Sequence, residues 1–152
     1  MATPIREAVL AAVADRLAAS IVGVPVERAR RAAVDISEYP RLVLQGMEMV
    51  PDQSQSPGLT FWTVRFTITG YVKGEGPSAD LLAEQRLSAL HAQVSAALEG
   101  ADLGPCTVQA TNGQVDFVML DASSSSVASG YFDVGFEALA ITPTASPYAT
   151  TT

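Results

Sequence analysis

The chain has 152 residues, 48% hydrophobic and 16% charged, with a net charge of −7. That is enough for one domain with its own core, and the negative charge excludes a surface built to grip nucleic acid, which needs clustered Lys and Arg. The single cysteine, Cys106, excludes an internal disulfide, and no apolar run approaches the roughly 20 residues of a membrane span. The N-terminus has no basic stretch followed by an apolar one, so we expect no secretion signal and a reducing compartment such as a bacterial cytoplasm.

Residues 4–20 carry Ile5, Val9, Ala12, Val13 and Leu17 at helical spacing, with Thr3 as the expected N-cap and Pro4 at the first helical position. Gly23 and Pro25 end that helix. Arg28, Arg30 and Arg31 follow closely, as a phosphate patch or a subunit-pairing edge. Residues 39–50 read as a strand and 51–58 as a polar loop. From 60 to 73, Trp62, Val64, Phe66, Ile68 and Val72 alternate with polar residues, the pattern of an antiparallel strand with one covered face. The opposite face holds Phe61, Thr63, Arg65, Thr67, Thr69 and Tyr71, a mixture suited to a protein interface.

A second helix is predicted over 78–99, with Ser78 as N-cap and Ala83, Leu87, Leu90, Val94, Ala97 and Leu98 on one stripe, closed by Gly100. Strands are expected near 105–110, 114–121 and 130–141. The serine-rich 121–130 segment reads as a polar loop and 142–152 as a flexible tail after a single domain, 1–141. The predicted fold is α+β: a mostly antiparallel sheet with two helices packed on one face.

The stretch Gly70–Leu82, with Gly74-x-Gly76 between a strand and a helix, resembles a nucleotide-binding turn in outline only. The strand before it alternates instead of being continuously apolar, Glu75 puts negative charge where a pyrophosphate would sit, and Pro77 removes an amide donor. His91, the only histidine, lies at the margin of a helical stripe, and Cys106 reads as a small buried thiol. No Gly-x-Ser-x-Gly elbow occurs, and Ser123–Ser126 reads as filler. Asp133 and Glu137 share a strand face, with Asp116 as a neighbour across the sheet, but nothing suggests a cleft in which they would converge. We therefore assign no catalytic, cofactor-binding or metal-binding residue.

Taken together, "IREAVLAAVADRLAA", the arginine-bearing lead into "EYPRLVL", the strand ending "TGYVKG", the helix "LLAEQRLSALHAQVSAAL", "LGPCTVQ" and the closing "GYFDVGFEALAI" resemble the tail terminator proteins of long-tailed bacteriophages and phage-like particles such as gene transfer agents. The resemblance spans residues 4–141 and lies in the order and texture of the segments. It implies a non-enzymatic virion protein, assembled in the bacterial cytoplasm as a homo-hexameric ring at the head-proximal end of the tail. Its implied partners are the tail tube protein and a head-completion protein, with DNA passing through the ring without specific binding. On this expectation Arg28, Arg30, Phe61, Thr63, Arg65 and Tyr71 are candidate subunit contacts, and Asp116, Asp133 and Glu137 a candidate acidic channel face. A head-completion or other minor tail protein is the alternative, and a small-molecule binding domain a more distant one.

Overall fold

The alternating residues 60–73 build the centre of a sheet. β3, Leu59–Glu75, pairs antiparallel with β6, Val127–Pro143, in one register from Leu59 opposite Pro143 to Glu75 opposite Val127. Successive side chains point to opposite faces, so Val64, Phe66, Ile68 and Val72 of β3 share the inner face with Phe132, Val134, Phe136, Ala138 and Ala140 of β6, and all are buried. Phe66 and Phe136 lie opposite each other with ring centroids 5.7 Å apart. Gly70 lies opposite Phe132, whose ring would stand 2.3 Å from a Cβ at that position. The break in the apolar series at Gly70 is the space that Phe132 fills.

The computed structural model describes residues 2–111, 113–120, 127–144 and 146–149. On one side of the central pair, β2 (Arg41–Asp52) runs antiparallel to β3, and β1 (Val26–Arg28) runs parallel to β2. On the other side, β4 (Thr107–Ala110) and β5 (Asp116–Leu120) both pair with β6, at different stretches of its length. α1 (Ile5–Ser20) and α2 (Ala79–Leu98) cover the inner face. α1 buries Ile5, Val9, Val13 and Leu17, and α2 the full predicted stripe from Ala83 to Leu98. The architecture is the predicted one: a mostly antiparallel sheet with two helices on one face.

Several local expectations are corrected. α1 starts at Ile5 with Pro4 as its N-cap, and no side chain caps it. The Ile5 amide instead donates to the Pro147 carbonyl at 2.7 Å, and the Ala149 amide to the Thr3 carbonyl at 2.9 Å. Of the expected flexible tail, 142–152, the described residues are partly strand and partly docked, and 145 and 150–152 lie outside the described residues. β6 runs to Pro143, Thr142 is buried and accepts the Trp62 indole N–H at 2.7 Å, and Tyr148 bridges to Pro4. Composition read the segment as unstructured because its partners lie at the far end of the chain. Of the 121–130 loop, residues 121–126 lie outside the described residues and 127–130 already belong to β6. β2 is displaced to 41–52 and carries a register shift between Gly46 and Met49. β1 went unpredicted because three residues are too few to show a period. Ser78 sits at the N-cap of α2 as expected, but its hydroxyl makes no capping bond.

The Gly74–Gly76 turn joins β3 to α2. A Cβ at Gly74 would lie 2.3 Å from the Ala79 carbonyl oxygen and 2.6 Å from the Ala83 nitrogen, so the glycine lets the first turn of α2 rest on the strand. Gly76 has φ +94°, with open space around it, and reverses the chain. Gly74→Ala should cost about 1–3 kcal/mol by overpacking against backbone that cannot yield. Gly76→Ala should cost about 1 kcal/mol, from left-handed backbone alone. Urea denaturation distinguishes them, and equal costs would contradict the close helix approach at Gly74.

Candidate functional site

The outer face of the sheet is covered by no helix among the described residues, and its side chains fall into bands set by register. At one end Phe61 is flanked by Asp52 on β2 and Ile141 on β6, and the next outward pairs bring Val50, Thr63 and Leu139 beside them. Val50, Leu139 and Ile141 are exposed. In the middle Arg65 bonds to Glu48 and, at 3.1 Å, to Glu137, which also accepts from the Gln109 side-chain amide at 3.3 Å. Beyond them Asp133 lies directly opposite Asp116. The Thr69 hydroxyl donates to Asp133, and the Gln114 amide donates to Asp116 at 3.0 Å. At the far end Tyr39, Tyr71 and Tyr131 form a row, with ring centroids 5.2 and 6.0 Å apart. Burial, and then the Asp133 charge, push the Tyr71 phenol up.

The structure thus places Phe61, Thr63, Arg65 and Tyr71 on one face, and Asp116, Asp133 and Glu137 on the same face. The three carboxylates differ in kind. Glu137 shares the Arg65 guanidinium with Glu48, whereas Asp116 and Asp133 oppose each other with no cation among the described residues to offset them. Like charges directly opposed across a pair are destabilising, and here only the neutral donors Thr69 and Gln114 meet them among the described residues.

Arg28 and Arg30 lie apart from that face and are engaged within the chain. Arg28 makes a two-pronged bond to Glu7 of α1, at 2.6 and 2.8 Å. Arg30 bonds Glu27 at 2.9 Å, Glu38 at 2.7 and 3.0 Å, and the Ala32 and Ala33 carbonyls at 3.1 Å each. Arg41 completes the cluster by bonding Glu27. A single turn, Ile36–Glu38, stands inside it, with Asp35 and Glu38 as a reciprocal capping box. This turn went unpredicted, although the Asp35-x-x-Glu38 spacing is the signal that could have shown it. The Arg30 guanidinium, helped by the Asp35 amide, holds the Glu38 carboxyl far below its ordinary value, at about 2.

The remaining chemistry-bearing residues are structural in their surroundings. His91 sets its ring edge-on against Phe117 and Phe132, at 5.3 and 5.4 Å, filling the seam between α2 and the sheet. Cys106 is buried, and desolvation pushes its thiol up to about 11. It lines a cavity of about 460 Å³ with Ile5, Asp102, Ile141 and Ala149, where the Asp102 charge further disfavours the thiolate. A second groove, about 340 Å³, runs between Val24, Pro40, Val72 and Leu90. Among the described residues no three metal-ligating side chains gather, and no helix is long and apolar enough to cross a membrane. No protein-family model and no curated protein matches the chain.

Because the folded-state value of Glu38 is depressed, its contribution to stability is complete above about 4.5 and is lost as pH falls toward about 2. Glu38→Gln should therefore lower the denaturation midpoint near neutral pH, with the difference from wild type closing near pH 2. A difference unchanged by acid would mean that the pair with Arg30 does not operate in solution.

Proposed function

We propose that this chain is a structural subunit of a long-tailed phage or phage-like particle, a tail terminator. Its copies close as a hexameric ring on the head-proximal end of the tail tube, stop tube growth and join tail to head. The observation that supports this reading best is the uncovered outer face of a long, rigid sheet. That face carries an apolar end, a tyrosine row and unneutralised carboxylates, and the described cavities lack a paired nucleophile and base. Such a face fits association, not turnover. The order of segments resembles the terminator family, and the same architecture accommodates each of them: both helices, the long alternating strand and the closing strand.

In this reading Asp133 faces the channel, where fixed negative charge keeps DNA from adhering as it passes. Light scattering and electron microscopy of the purified protein, alone and mixed with isolated tail tubes, should show closed rings or density capping one tube end. A monomer that leaves tube ends bare would overturn the proposal. Asp133→Asn should leave ring mass unchanged and reduce DNA transfer by particles assembled with it. Loss of the rings would instead assign Asp133 to assembly.

A further inference from the structure

The two lateral edges of the sheet are complementary to each other. β5 has no partner on its outer side among the described residues, and β1 likewise pairs only with β2. β5 reads Asp116-Phe117-Val118-Met119-Leu120: acidic where it begins, apolar to its end. Phe117, Met119 and Leu120 are 48%, 42% and 38% exposed, an unusual density of apolar surface for an edge strand, which soluble chains ordinarily protect. The opposite edge has the reverse polarity. It begins with Val22, 92% exposed, and a groove of about 410 Å³ lined by Ile21, Val22, Val24, Pro25 and Val26. It ends in Arg28, Arg30 and Arg31. The first two arginines are paired within the chain, whereas Arg31 is exposed and makes no hydrogen bond or ion pair with a described residue.

Direction and facing agree with this complementarity. β1 is parallel to β2, and each step from β2 through β3 and β6 to β5 reverses direction, so β5 runs opposite to β1. A rotation about an axis along the strands preserves that sense, so β5 of one copy meets β1 of the next antiparallel. The acidic start of β5 then falls beside the arginine end, and its apolar end beside Val22–Val26. Phe117 and Met119 pair with the inward-facing positions Phe132 and Gly130, so they project on the helix side of the sheet, where one side of the Phe117 ring packs on His91 and Phe132 and the rest is exposed. The apolar groove is lined in part by Ala18 of α1, which covers that same side.

We propose that β5 of one copy docks on the Val22–Arg31 edge of the next, with the exposed parts of Phe117 and Met119 covered by the Ile21–Val26 groove and Asp116 pairing with Arg31. β1 is short and preceded by Pro25, so side chains carry the contact more than a backbone ladder does. The contact is head-to-tail, joining unlike surfaces, and so generates rings or filaments, not simple dimers. It relieves the opposition between Asp116 and Asp133 and leaves Asp133 as the carboxylate facing the uncovered side. The proposal rests on the reading of the chain as a ring subunit.

Sedimentation velocity over a concentration series tests it on wild type, Arg31→Asp, Asp116→Arg, the double reversal, and Val22→Asp at a fully solvated position. Each single charge reversal should weaken association about tenfold or more, and the double reversal should recover most of the loss. Val22→Asp should also weaken association while leaving the circular dichroism spectrum unchanged. Rings that persist in all the single variants would overturn this interface and leave the terminator reading standing. A wild-type chain that stays monomeric at every concentration would overturn the interface too, and the terminator reading would then be judged separately by capping of tail tubes.

Discussion

The pairing of β3 with β6 is the constraint on which the rest of the subunit depends. Both strands are 17 residues long, and their register holds without a slip along the whole length. Side chains alternate with period two, so a one-residue slip would turn Val64, Phe66, Ile68, Phe132 and Phe136 out of the core together. The notch at Gly70 receives the ring of Phe132, with Leu90 of α2 beside it, which pins the register at a second kind of contact. All other strands attach through this pair: β2 and then β1 on one side, β4 and β5 on the other.

The same register distributes charge on the uncovered face. Arg65 reaches Glu137 because they are a cross-strand pair, and Asp116 meets Asp133 for the same reason. The chain answers one of these juxtapositions internally and leaves the other without a cation among the described residues. Three arginines, Arg28, Arg30 and Arg41, go elsewhere, into the Glu7, Glu27 and Glu38 pairs that fix the segment between α1 and β2. These pairs are partly exposed and individually weak, but Arg30, Arg41, Glu27 and Glu38 form a network, which is where such pairs gain order. What remains free is a rigid platform with apolar, acidic and aromatic bands. Its reactive side chains, Cys106 and His91, are occupied as packing.

The sequence by itself determined the fold class, because the two periodicities are long and clean: the alternation of 60–73 and 130–141, and the stripes of the two helices. It also determined which side chains of β3 share the outer face, since strand geometry decides that without reference to any partner. Only the tertiary structure decided what those residues meet. Asp116 and Asp133 are 17 positions apart in the chain; the sequence suggested them as neighbours across the sheet, and only the register of β5 on β6 puts them directly opposite each other. Arg28 and Arg30 look like free cations in sequence, and their carboxylate partners came from α1, from β1 and from a capped turn. The C-terminal segment looked like a tail because its hydrogen bonds go to distant residues, 3–5 and 58–62. Period and propensity act over a few residues and survive in sequence, whereas register, ion pairing and docking depend on which distant backbones the core brings together.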